Sequence, residues 1–331
     1  MASNSSALAT TKSAPLAQDL EAFRAAARRA GEYAKAARAP STKRAYAADM
    51  RAFVTWCEGI GASSLPAQPE IVALYLAHLA DEGSAVATID RALVAISQAH
   101  KLAGFASPRS EILVREVHRG IRRTLGRAQR RAKPIMPKAL REIVTALPSG
   151  LLGTRDRALL LVGFASALRR SELVALDVED LVADDAGIVL RVRRSKTDQE
   201  GVGRDVGIVL GADEATCPVR WLRRWLELAH ITSGAVFRGV TRHGHVTTHR
   251  LDGGTVARVV KRSALAAGID PTVLSGHSLR AGLATAAAKA GKPWHVIMAQ
   301  TGHRSMSVFR RYVRDAEVLD ADANASAGIG L

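Results

Sequence analysis

Apolar residues recur at three- and four-residue steps through the N-terminal third of the chain. Tyr46, Met50, Phe53, Val54 and Cys57 follow that rhythm, which places them on one buried helix face. Ser41 and Thr42 after Pro40 supply the start of that helix. Pro66 and Pro69 punctuate the next start, a second helix covers 71–79, Asp81-Glu82-Gly83-Ser84 ends it, and 86–103 forms a third. Residues 1–16 carry no such period and read as a flexible lead. A helical domain is therefore expected over 17–125.

The segment 112–125 separates into two faces. At 100° per residue Leu113, Val117, Ile121, Thr124 and Leu125 share one side, with Arg115, Arg119, Arg122 and Arg123 opposite. The basic run continues through Arg127, Arg130, Arg131 and Lys133, so positions 115–133 hold eight basic residues against the single acid Glu116. Most charge runs are solvated faces, but one sign throughout favours a surface that follows phosphates. Residues 126–136 read as an extended basic linker ending at Pro137.

A second domain is expected over 137–318. Helices are predicted at 138–147, 154–168 and 171–176. Two β-branched, partly alternating runs follow at 188–193 and 204–210. Gly201 and Gly203 lie between them, which predicts a hairpin with a mobile tip. From Cys217-Pro218 onward the pattern is mostly helical. The fold class expected is mainly α with a small β-hairpin or sheet, in two domains.

Composition narrows the partner. The chain has 331 residues, enough for about two domains of roughly 150. Apolar residues make up 47% and charged ones 24%, the range of folded soluble proteins. Lys plus Arg number 47 against 31 acids, a net charge of +16, which suits a polyanion. The longest strongly apolar uncharged stretch, 158–168, has eleven residues, where a bilayer needs about 20. No secretory segment opens the chain. Cys57 and Cys217 form no CxxC pair, so a reducing cytoplasm is expected. Nucleic acid is the better partner than a membrane.

Common catalytic devices are missing: no GxxxxGK[ST] loop, GxSxG elbow or HExxH helix is present. Asp177, Glu179, Asp180, Asp184 and Asp185 could hold Mg²⁺ but read as a solvated turn. His243, His245 and His249 read as an exposed loop. No metal and no cofactor are expected.

The C-terminal half holds a different set. His277 and Arg280 form an H-x-x-R, a spacing that shares one helical face. A helix over 293–301 ends at Gly302, and His303 follows. Tyr312 lies nine residues beyond, about half a turn out of phase on a straight helix. A break at 305–307 would let the tyrosine turn back toward His303. Singly, each feature has a plain structural explanation.

Together, Ala167-Leu168-Arg169-Arg170-Ser171-Glu172-Leu173, Ser195-Lys196-Thr197, His277-Ser278-Leu279-Arg280, Thr301-Gly302-His303 and Tyr312 resemble the tyrosine recombinase (phage integrase) family, which includes Cre and the Xer recombinases. The resemblance covers 137–318 in motif order and extends weakly to the first domain through Ser41-Thr42-Lys43-Arg44-Ala45-Tyr46. It implies a site-specific recombinase or integrase that cuts and rejoins duplex DNA without metal or ATP, through a 3′-phosphotyrosyl intermediate. A helical core-binding (SAM-like) domain and a catalytic domain would form a clamp around DNA.

Under that resemblance Tyr312 is the nucleophile, and Arg169 and Arg280 bind the scissile phosphate. The residues alone do not choose between Arg169 and Arg170; the family motif points to the first. Glu172 braces it, Lys196 protonates the leaving 5′ oxygen, and His277 helps move the tyrosine proton. His303, replaced by Trp in some relatives, bonds a non-bridging oxygen. Lys43 and Arg44 join the basic strip as DNA contacts. The resemblance also implies a tetrameric synapse, possible accessory DNA-bending proteins, a prokaryotic or phage setting at the nucleoid, and a tail (319–331) that docks on a neighbouring protomer. Two other readings stay open, a type IB topoisomerase and a non-catalytic DNA-binding protein. No aromatic-rich amphipathic anchor supports a peripheral membrane protein.

Overall fold

A computed structural model describes residues 14–126, 132–195, 198, 201–307 and 309–310. The chain divides into two units, 1–129 and 130–331.

The first unit contains five α-helices among its described residues: α1 (Ala14–Ala36), α2 (Pro40–Gly59), α3 (Pro69–Asp81), α4 (Val86–Leu102) and α5 (Ile112–Thr124). Proline opens both α2 and α3, where its fixed φ suits a first turn and its missing N–H is not needed. Phe53 and Cys57 of α2, Val72 and Leu76 of α3, Ile89, Leu93 and Ile96 of α4, and Val114 of α5 form one core. His100 is buried in it as a structural group. Its Nε2 accepts the Ala67 N–H at 2.9 Å, which leaves Nδ1 to donate to the Ile96 carbonyl at 2.8 Å.

The buried stripe of α5 differs from the expected one. Val114, Val117 and Ile121 face the core, while Leu113 and Leu125 are 44% and 46% exposed. Both sets satisfy a helical period, and packing onto α3 and the core selects the one that lies about 100° round from Leu113.

The second unit runs α6 (Pro137–Thr145), α7 (Leu151–Ala165), α8 (Arg170–Ala175), β1 (Leu181–Asp184), β2 (Gly187–Val192), β3 (Arg204–Val209), α9 (Pro218–Leu228), β4 (Arg238–Val240), β5 (Val246–Arg250), α10 (Gly253–Ala266), α11 (Ser278–Lys289) and α12 (Trp294–Thr301). Helix α7 is the central element, with Ala158 to Val162 all buried. That explains the apolar stretch: it is a core helix, and no described helix is long and apolar enough to cross a membrane. Strands β1, β2 and β3 form an antiparallel sheet in that order, with Leu181 opposite Leu190 and Ile188 opposite Ile208. Ile188, Leu190, Val192, Val206 and Ile208 point into the core, the alternation that marked these runs.

Three local expectations change. The acidic turn is partly strand β1, an edge strand whose residues past Leu181 are exposed, so no alternation announces it. A second hairpin, β4–β5, lies inside the stretch read as helical; both strands are short and carry no buried residue. The chain breaks at 302–305 rather than 305–307, because Met306 and Ser307 are already helical.

Candidate active site

Helix α7 ends at Ala165, and Ala167 adopts a left-handed φ of 49°, which reverses the chain into α8. Arg169 stands at the N-cap of α8. It has no short polar side chain to cap the helix, so Glu172 reaches back from the third helical position. Glu172 Oε2 accepts the Arg169 N–H at 3.0 Å, and Oε1 accepts Arg169 Nη1 at 2.6 Å. One carboxylate therefore sets the helix start and the guanidinium together. Glu172 is 3% exposed and takes a second cation, Arg204 Nη2, at 3.4 Å. Arg170 instead points outward, its stem passing over Gly253 and Gly276. The adjacent arginines thus face different surroundings, and Arg169 is the one gathered inward.

Arg280 lies in the first turn of α11 and is 1% exposed. Gly282 lets this helix press against the chain entering the unit; a Cβ there would stand 2.0 Å from the Ile135 carbonyl oxygen. Arg280 Nη1 donates to the Ala167 carbonyl at 2.8 Å and to the Thr301 carbonyl, while Nη2 donates to His303 Nε2 at 2.9 Å. Guanidinium has no acceptor, so Nε2 of His303 is unprotonated. Its proton sits on Nδ1 and goes to Thr301 Oγ1 at 2.7 Å, and the threonine hydroxyl donates to the Ile297 carbonyl, also at 2.7 Å.

The electrostatics join the two arginines. Burial, then Arg280, Arg169, His277 and Arg204, push the His303 pKa down to about 3. His277, at the N-cap of α11, is lowered by the protein packed around its ring, then by Arg280 and Arg169, although the residue reaches the surface. Arg169 and Arg280 therefore act on one cationic basin with the imidazoles of His277 and His303, while Arg204 is tied to Glu172 and the end of α12. Such a basin holds an anion.

Lys196 and Tyr312 lie outside the described residues, as does the tail 319–331. The flanks of Lys196 are described: Ser195 and Asp198 exchange backbone hydrogen bonds of 3.3 and 3.1 Å. The Asp198 carboxylate accepts the Gly203 N–H at 2.8 Å and faces Arg304 at 3.6 Å. Before Tyr312, Phe309 is fully buried against Ala284 and Ile297, its ring 5.9 Å from that of His303.

The proposed DNA contacts divide. Lys43 and Arg44 are exposed on α2, and Arg115, Arg119 and Arg123 are exposed on α5. Arg119 pairs with Glu116, and Arg122 is half-buried with Nε 3.9 Å from Asp90. Lys133 is exposed in the second unit, and Arg127, Arg130 and Arg131 lie outside the described residues. The acidic cluster is occupied by protein: Asp177 pairs with Arg250 and Arg193, Asp180 with Arg193, and Glu179 accepts the Gly234 N–H. His243, His245 and His249 are exposed around the β4–β5 hairpin. Sequence reading passed over Arg204, whose one signal was an arginine opening a strand otherwise apolar at alternate positions, and it gave Thr301 no role.

Comparison with known proteins identifies the family of the chain. The phage integrase family profile matches residues 133–318, and that of the phage integrase N-terminal SAM-like domain matches 17–104. An integrase/recombinase xerD homolog of Selenomonas ruminantium is 37% identical over 290 residues, covering 86% of this chain and 85% of the relative. Recombinase cre of Escherichia phage P1 is 26% identical over 296 residues, covering 83% of each. Among solved structures, a lambda integrase dimer bound to a COC′ core site superposes with a TM-score of 0.60 at 19% identity, covering 92% of this chain and 82% of that one. A lambda integrase tetramer bound to a Holliday junction gives 0.59 at 19% identity with the same coverage. The fold is shared with both.

Proposed function

Because this chain belongs to the phage integrase family, we propose that it is a tyrosine-type site-specific recombinase that cuts and rejoins duplex DNA. One observation carries the reading: Arg280 bonds both His303 and the Ala167 carbonyl, two residues before Arg169, so guanidinium groups from two distant segments meet at one place. A phosphodiester entering that basin meets two planar forks that fit its oxygens.

The Tyr312 oxygen attacks the scissile phosphorus and loses its proton toward His277. The bond from phosphorus to the 5′ oxygen breaks, and Lys196 protonates that oxygen as it leaves. A 3′-phosphotyrosyl bond keeps the energy of the diester, so a 5′ hydroxyl from another strand can reverse the step. Arg169 and Arg280 offset the charge of the pentacoordinate phosphorane, and Glu172 holds the first of them. The lowered pKa of His277 keeps its imidazole neutral near pH 7, as a proton acceptor must be. His303 first aims Arg280 through the Nε2 contact. It donates to a non-bridging oxygen only as the other neutral tautomer, with the proton on Nε2 and Nδ1 accepting from Thr301 Oγ1, once Arg280 has turned to the phosphate.

Lys43, Arg44 and the Arg115–Lys133 strip follow the DNA backbone. Four copies assemble on paired sites, each tail (319–331) docking on a neighbour, with accessory DNA-bending proteins at some sites. The domain limits 17–125 and 137–318 separate core binding from catalysis, and the enzyme works in a prokaryotic cytoplasm. The test is covalent capture on a nicked DNA site in the presence of EDTA, followed by sequencing of the captured DNA. Covalent complexes at one defined position are expected. Capture that needs added Mg²⁺, or none at all, contradicts the proposal.

A further inference from the structure

We infer that Arg204 is a positioning residue that sets the two phosphate-binding arginines in register; the inference rests on the recombinase reading above. Arg169 is held from the start of α8 through Glu172. Arg280 is held from the end of α12 through Thr301 and His303. These supports come from segments far apart in the sequence. Among the described residues, Arg204 is a side chain that reaches both. Its Nη2 lies 3.4 Å from Glu172 Oε2, and its Nη1 lies 3.0 Å from the Gln300 carbonyl and 3.4 Å from that of Ala299.

Each end of this tie has a physical reason. The last carbonyls of a helix lack intrahelical partners and carry partial negative charge, so a cation satisfies them twice over. Helix α12 ends at Gly302 in the left-handed conformation, φ 66°. A Cβ at that glycine would stand 2.8 Å from Arg204 Nε, so the glycine both turns the chain into His303 and leaves the space the guanidinium occupies. At the other end, Glu172 is buried with the backbone N–H and guanidinium of Arg169 on it, and Arg204 adds a further contact to its Oε2. Only a planar fork spans a carboxylate and a carbonyl together; a lysine ammonium contacts them as a single point.

The backbone of Arg204 is itself fixed, since it opens β3 opposite Val192. The preceding Gly203 is held by Asp198, on the connection that carries Lys196. Helix α12 has an independent anchor: Gln300 Nε2 donates to the carbonyls of Ala165 and Gly207 at 2.9 and 3.0 Å. The helix therefore stays docked without Arg204. What Arg204 adds is the alignment of α12's end with Glu172, and hence of Arg280 and His303 with Arg169.

The test measures single-turnover cleavage of a nicked DNA site at saturating protein for Arg204→Lys and Arg204→Met, beside DNA affinity and thermal midpoint. A misplacement on the order of an ångström costs about 100-fold in rate, so a loss of about 10- to 100-fold is expected, with affinity within about twofold. The penalty disappears in a Glu172→Gln background, because a tie cut at one end carries nothing at the other. Wild-type rates in both variants overturn the inference. So does a rate loss matched by loss of affinity or thermal midpoint, or a penalty as large in Glu172→Gln as in the parent. Cleavage unaffected by Arg169→Ala would instead overturn the recombinase reading itself.

Discussion

Arg280 donates from Nη2 to Nε2 of His303 at 2.9 Å, so the histidine meets its strongest neighbour as an acceptor. The contact fixes its tautomer, and burial of the ring, reinforced by Arg280, keeps it neutral and sets its pH response.

A neutral His303 makes the second unit acid-sensitive in a defined window. Its pKa in the folded chain is about 3, against about 6.5 unfolded. Between those values the unfolded chain binds a proton that the folded one does not, so stability falls as pH drops below about 6.5 and is flat above it. His277 is shifted in the same direction and adds to the slope. Asp252, held at about 2 chiefly by its hydrogen bond from Thr255, contributes only below about pH 4. Thermal midpoints should decline from pH 7 to 5, and His303→Gln should shrink that decline. An unchanged slope would show that the imidazole is not held neutral.

Thr301→Val removes the acceptor for the His303 Nδ1 proton while keeping side-chain shape. A buried donor left unpaired costs about 1–3 kcal/mol. Chemical denaturation should show a loss of that size, and cleavage should slow more than binding weakens. Thr301→Ser should restore both. A variant with valine that cleaves at the parent rate would remove any role for the hydroxyl.

Glu172→Ala leaves Arg169 and Arg204 without their shared carboxylate. Removing one partner of a buried pair costs roughly 3 kcal/mol or more, with some relief because both guanidiniums reach solvent. Denaturation midpoints should fall accordingly and cleavage should be nearly lost. Little change in either would mean that the carboxylate does not brace the site.

The arginines of α5 should not behave alike. Arg115 and Arg123 are exposed, whereas Arg122 is half-buried near Asp90. Gln at position 115 or 123 should flatten the salt dependence of DNA binding by about 0.9 for each phosphate no longer neutralised. Arg122→Gln should flatten it less. Equal slopes in every variant would return this face to plain solvation.

Much of the fold was legible because its signals are periodic. The helix faces around Phe53 and Cys57 and the alternation in β2 and β3 are direct consequences of one-sided burial. Strand β1 and the β4–β5 hairpin were not legible, since exposed edge strands held by backbone pairing impose no pattern on side chains. On α5, Leu113 and Val114 were equally good candidates for the core until a packing partner was known. The site divides in the same way. Arg169 and Arg280 stand within recognisable local motifs, but the choice of Arg169 over Arg170 depends on how Glu172 folds back. Arg204 has meaning only through its bonds to Glu172 and Gln300, residues 32 and 96 positions away. No local pattern encodes such a pairing.

On the recombinase reading, the Tyr312 oxygen becomes bonded to DNA phosphorus within the basin of Arg169 and Arg280. Wild-type protein and Tyr312→Phe should be compared on a nicked DNA site with EDTA, and the protein–DNA linkage mapped by peptide mass spectrometry. A 3′-phosphate linked to Tyr312 is expected in the wild type, and unchanged DNA affinity with no covalent product in Tyr312→Phe. A covalent complex that persists in Tyr312→Phe, or one mapped to another residue, would contradict it.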